Sequence, residues 1–126
     1  MLSDLLDDIK DELTDSALFK QVDSYEGQFD DLDNYVLKPP SALVEIDSGS
    51  EDVSYDNYDE INIAVYLTTS RISDKTGSSM LGLIDSTRAA LHDLNLSSGR
   101  VEFQNFRKML IFKGFNVYLM NFKLRR

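Results

Sequence analysis

The chain has 126 residues, enough for one domain around one modest core. It contains no cysteine and a single histidine, His92, which excludes disulfides, thiolate chemistry and zinc sites built on paired Cys or His within one subunit. The net charge of −9 is unevenly spread: residues 1–63 carry 18 acidic and 3 basic side chains, residues 64–126 carry 4 and 10. No apolar run approaches the ~20 residues of a helical membrane span, and the acidic opening MLSDLLDDIKDEL is unlike a basic secretory signal, so a cytoplasmic product is expected.

Taken in chain order, Leu2, Leu5, Leu6, Ile9 and Leu13 recur at helical spacing and predict an amphipathic helix over about 3–14. Ser3 or Asp4 can cap it, and Asp4, Asp7 and Asp8 suit the positive end of its dipole. Residues 18–25 form a short candidate strand that Glu26-Gly27 ends. Phe29, Leu32 and Val36 then suit two or three helical turns over 28–37, stopped by Pro39-Pro40. Ala42, Val44 and Ile46 alternate with Leu43, Glu45 and Asp47 as a strand. The acidic stretch 47–60 has no period and reads as a loop or the protruding tip of a hairpin.

Ile61, Ile63, Val65 and Leu67 give the cleanest alternation in the chain. After a polar turn over 71–77, a helix is predicted from about Ser78 to Leu94. Its stripe is Met80, Leu83, Ile84, Thr87, Leu91 and Leu94, widened by Leu81 and Ala90, and the turn 95–99 closes it. Two strands follow, 100–112 and 115–124, joined at Lys113-Gly114. The last is apolar on both faces and so requires cover on both, or a place at an interface. The expected fold is α+β: one domain over 1–126, with a mixed or mostly antiparallel sheet of four to five strands packed against two main helices.

No pattern of catalytic residues emerges. Asp30, Asp31 and Asp33 lack metal-ligand spacing on a helix, and 47–60 lacks the alternation of an EF-hand. His92 has no nucleophile in a recognisable motif and suits a helix C-terminus. No phosphate-binding glycine motif occurs. Basic residues from Arg100 onward interleave with phenylalanines, which could stack single-stranded nucleic acid; strand alternation with buried phenylalanines and solvated cations accounts for the pattern more simply. No enzyme, cofactor or metal is expected.

Several segments resemble Mu-like phage and prophage tail proteins of the tail-terminator, or tail-completion, type. They are the acidic leucine helix, the stretch Val22-Asp23-Ser24-Tyr25-Glu26-Gly27-Gln28-Phe29-Asp30, the strand opening Pro39-Pro40-Ser41-Ala42-Leu43-Val44, and the closing strand after a glycine turn, Lys113-Gly114-Phe115-Asn116-Val117-Tyr118-Leu119-Met120-Asn121-Phe122. The resemblance implies a virion subunit, made in the host cytoplasm, that forms a hexameric ring on the tail tube. Its partners would be copies of itself, the tail tube protein, neck or head-completion proteins and, as a further neighbour, the tail sheath. It implies no membrane and no specific nucleic acid, although DNA would pass through the ring. A head–tail connector or other neck protein is the nearest alternative, and an acidic DNA mimic that inhibits a host protein is the alternative of another class.

Charge asymmetry adds an independent expectation. An acidic face of one subunit can meet a basic face of the next, head to tail. The candidate interface residues are Arg100, Arg107, Lys108 and Lys113 on the basic side, and Asp47, Glu51, Asp52 and Asp56 on the acidic side. Arg107 and Lys108 are expected to matter more to this contact than Arg125 and Arg126.

Overall fold

A computed structural model of the chain describes residues 2–30, 35–51, 58–71, 78–97, 99–109 and 114–125. Helix α1 (Leu2–Asp15) opens the chain and is followed by strand β1 (Gln21–Ser24). A single 3-10 turn over Gln28–Asp30 leads towards β2 (Ser41–Glu51) and β3 (Tyr58–Ser70). Helix α2 (Ser78–Leu91), the two-residue strand β4 (Asn95–Leu96), β5 (Gly99–Lys108) and β6 (Phe115–Arg125) complete it. The six strands among the described residues form one sheet in the order β1-β2-β3-β6-β5-β4. β1 runs parallel to β2, and every other pair is antiparallel. The molecule is therefore α+β with a mixed sheet.

The period of two in each strand sorts side chains onto two faces. On one face lie Ala42 and Val44 of β2, Ile61, Ile63, Val65 and Leu67 of β3, Met120, Phe122 and Leu124 of β6, and Val101 of β5. Both helices pack there. α1 contributes Leu5, Ile9 and Leu13, spaced by four and all buried; α2 contributes Met80, Ile84 and Leu91. Thr87 sits on the same stripe and gives its hydroxyl to the Leu83 carbonyl, 2.7 Å away, so its burial leaves no orphaned donor. Arg88 lies over the Phe103 ring at 5.0 Å, anchoring α2 above β5.

Among the described residues neither α1 nor α2 covers the opposite face. Part of it is roofed by the chain between β1 and β2. Tyr25 and Phe29 pack with Tyr66 of β3, ring centroids 4.4 to 5.7 Å apart, over Leu43 and Val117. The turn that brings Phe29 back needs Gly27, whose φ of +83° few other residues adopt. Gln28 fastens it by donating its side-chain amide to the Ser24 carbonyl at 2.7 Å. Further on, Gln21 brackets the returning chain, donating to the Val36 carbonyl at 3.1 Å and accepting from the Lys38 amide at 3.0 Å. Tyr35 donates to Asp23 at 2.6 Å.

This arrangement corrects four expectations. The helix over 28–37 is only a 3-10 turn at Gln28–Asp30, and residues 35–38 carry no helix; residues 31–34 lie outside the described residues. The side-chain bracket from Gln21 and the Tyr35–Asp23 bond hold that segment extended against β1. The second long helix ends at Leu91, because Asp93 turns into the left-handed region (φ 64°) and its amide bonds to the Val101 carbonyl. Asn95 and Leu96 then pair with Arg100 and Gly99, making a sixth strand where a simple turn was expected. Leu81, expected to widen the core stripe of α2, is 49% exposed.

The 47–60 stretch is the end of a hairpin: β2 continues to Glu51 and β3 starts at Tyr58, with residues 52–57 outside the described residues. The polar turn after β3 and the Lys113 end of the β5–β6 turn also lie largely outside them, at 72–77 and 110–113.

Ile9 has no exposed surface and sits between α1 and the sheet. Ile9→Ala is expected to lower the free energy of unfolding by about 2–5 kcal/mol, read from the urea midpoint, through lost transfer energy plus the cavity left behind. A change below about 0.5 kcal/mol, the size usual for exposed sites, would contradict this packing.

Candidate assembly surface

Both sheet edges are only partly closed, and each closure has identifiable groups. β5 is covered at its start by β4. The Val101 amide donates to the Leu94 carbonyl at 2.9 Å, and the Val101 carbonyl accepts from the Asp93 amide at 2.8 Å. One residue pair further, the Phe103 amide donates to Nδ1 of His92 at 2.9 Å. The single histidine thus acts as the last plug of the β5 edge, a role its sequence position beside Asp93 did not reveal.

Beyond Phe103 the edge opens. A bulge between Phe103 and Asn105 resets the register, after which Asn105, Phe106, Arg107 and Lys108 pair with Asn121, Met120, Leu119 and Tyr118. The Met109 amide donates to the Val117 carbonyl, so Met109 and Arg107 turn their backbone groups towards β6, and Phe106 and Lys108 turn theirs outwards. Among the described residues no strand pairs with this outer side. Gln104 to Lys108 are all exposed, Phe106 at 47%.

The β2 edge has the same form. β1 pairs with it only from Ser41 to Val44, and the Tyr25 amide takes the Val44 carbonyl at 2.8 Å. From Glu45 to Glu51 no strand among the described residues pairs with the outer side of β2. A bulge between Ile46 and Ser48 leaves Asp47 unpaired and exposed. Beside this stretch, under α1, lies an open groove of about 330 Å³ whose lining combines Leu2, Leu6, Tyr25, Val44 and Ile46 with the polar Ser3, Ser24, Glu26 and Glu45.

The structure divides the sequence-derived interface candidates. Arg100 is occupied internally: its Nη2 lies 2.8 Å from Glu102 and its Nε 4.0 Å from Asp93. Arg125, directly opposite Arg100 in the register, also binds Glu102 (3.1 Å) and reaches Glu60 (4.0 Å), which Lys123 contacts at 3.2 Å. Glu102 thus neutralises two facing cations, and the hydrogen bond from Arg100 holds its carboxyl below the usual carboxylate range. Arg107 and Lys108 are exposed, on opposite faces of β5, and no ion pair to either occurs among the described residues. Asp47 lies at the β2 bulge, Glu51 ends β2, and Asp52, Asp56 and Lys113 lie outside the described residues. Asp47 on one edge and the Arg107–Lys108 pair on the other are three strand spacings apart, too far to meet within one chain.

Among the described residues, no group of three or more His, Asp or Glu side chains converges as a metal site would need, and no helix is long and apolar enough to cross a membrane. The chain matches no known family model, and a comparison with curated proteins finds none similar to it.

Tyr66 gives this region a measurable pH response. Burial first, and the neighbouring Glu45 carboxylate next, push its phenol up to about 12, and its hydroxyl lies 3.4 Å from Glu45. The unfolded value is about 10, so the contribution to stability is fully present below pH ~10 and is lost as pH rises through the folded value. Tyr66→Phe is therefore expected to flatten the fall in urea midpoint between pH 10 and 12. Tyr25 and Tyr35, also raised, keep part of the slope. Identical slopes in both proteins would contradict the assignment.

Proposed function

We propose that this chain is a structural virion protein, a phage tail terminator whose copies close into a ring, hexameric in the resemblance, that caps the tail tube and joins it to the neck. The observation that carries the reading is the placement of two partly open sheet edges with opposite charge on opposite sides of one sheet. Surfaces that are complementary but cannot meet within a subunit make heterologous contacts, and these form rings when the rotation closes.

The segments that resemble the tail-terminator family have clear physical roles in this fold. Val22 to Asp30 spans β1, the Gly27 turn and the Phe29 roof; the segment from Pro39-Pro40 into Val44 opens β2 beside β1. These roles support a subunit whose sheet is roofed near β1 and open at its edges. Stopping tube growth and meeting the head-completion proteins would then be binding tasks of the ring's two ends, with the tail sheath as a lateral neighbour. No chemical step is assigned to the chain.

The test is tail length by electron microscopy after deletion of the gene from its phage or prophage. Overlong or variable tubes without heads are expected. Tails of normal length that fail to join heads would move the protein to the neck as a connector, and wholly normal particles would overturn the structural role. Tight binding to a basic host protein by a monomer that never self-associates would favour the DNA-mimic alternative.

A further inference from the structure

A ring requires a specific contact between neighbouring copies. We propose that neighbouring copies join by continuing the sheet. The open edge of β5 in one copy lies along the open edge of β2 in the next, and Phe106 fills the groove between α1 and β2. This inference rests on the self-association claimed above and assigns it a surface.

Four observations point to the same pairing. Unsatisfied strand edges pair readily with other strands, and both edges here are open over comparable lengths, Gln104–Lys108 and Glu45–Glu51. Their directions agree: β2, β3, β6 and β5 alternate, so placing the β5 edge of one copy beside the β2 edge of another in the same orientation makes an antiparallel pair.

Their faces agree as well. Phe106 sits opposite Met120, a residue of the helix-side core, so its ring projects on the helix side of β5. The groove beside β2 lies on that same side, between Leu2 and Leu6 of α1 and Val44 and Ile46 of β2. A sheet continued from one copy to the next brings the half-exposed ring to that groove without turning either strand.

Charge then selects among the possible edge pairings. Two β5 edges would set Arg107 and Lys108 against their own copies, and two β2 edges would do the same with Glu45 and Asp47. Charged side chains on edges ordinarily block such like-with-like association. The same charges favour β5 against β2. The two open stretches are displaced along the strands by roughly 15 Å, about five residues at the usual rise, so the pairing is staggered. A stagger of this kind tilts strands against a ring axis, as closed barrels require.

The experiment is sedimentation of the full chain over a concentration series, with four variants at exposed positions. Arg107→Glu with Lys108→Glu, and separately Asp47→Lys, are each expected to raise the dissociation constant at least about tenfold. Phe106→Asp, which leaves the strand backbone intact, is expected to do the same. Combining Asp47→Lys with the Arg107 and Lys108 reversals is expected to recover part of the loss, because the charges are again opposite. An unchanged urea midpoint in each variant identifies the effect as one on assembly. A wild-type chain that stays monomeric, variants that assemble like it, or a combined variant weaker than both parents would each overturn the proposal. If assembly responds as expected but gene deletion leaves tails unaltered, the edge pairing stands and the tail reading falls. Overlong tails with wild-type assembly in every variant would do the reverse.

Discussion

The antiparallel pairing of β3 with β6 is the constraint on which the rest of this structure depends. It runs unbroken from Ser70 opposite Phe115 to Glu60 opposite Arg125, with no bulge. Because side chains alternate, this register puts Ile61, Ile63, Val65 and Leu67 on the same side as Met120, Phe122 and Leu124, and both helices pack there. A slip of one residue would carry Lys123 and Asn121 under α2 and expose Met120 and Phe122. The outer strands tolerate irregularity that the central pair does not. β2 shifts register at Asp47 and again between Ser50 and Glu51, both within its open stretch, and β5 bulges between Phe103 and Asn105, where its edge turns from covered to open.

The second face shows how a strand apolar on both sides is accommodated. In β6 the odd-numbered residues change character halfway along. Phe115 and Val117 cluster with Tyr25, Phe29 and Leu37 of the roof, Leu119 pairs with Tyr66 of β3, and Asn121, Lys123 and Arg125 lie further along. The roof ends where the apolar residues end. Past that line the face carries a bond between Asn105 and Asn121 and the ion pairs of Glu60, Glu102, Lys123 and Arg125. Each pair has at least one exposed partner, so its contribution is small individually; the clearer effect is to occupy Arg100 and Arg125 and leave Arg107 and Lys108 for other partners.

Much of this was legible in the residues alone, for reasons that differ between elements. α1 and α2 show because buried leucines, isoleucines and methionines recur at helical spacing, and β3 shows because its alternation is uninterrupted. The segment after Gly27 misleads because Phe29, Leu32 and Val36 also fit helical spacing, while the groups that determine its path are long-range: the Gln21 side chain and the Tyr35–Asp23 bond. The end of α2 is similar. Leu94 extends the apolar stripe, yet the chain turns at Asp93 so that β4 and His92 can reach the β5 edge. A two-residue strand and a histidine plug leave no periodic signal. Charge segregation pointed to two surfaces, but only the register separates Arg100, which is bound internally, from Arg107 and Lys108.

Opposite charges on two open edges make the proposed assembly sensitive to screening, since the Debye length contracts from about 10 Å at 0.1 M salt to about 3 Å at 1 M. The most direct measurement is the native mass of the purified chain at those two ionic strengths. A closed oligomer of one size at low salt that shifts towards monomer at high salt is the expected result. A monomer at both, or an oligomer that high salt strengthens, would contradict it.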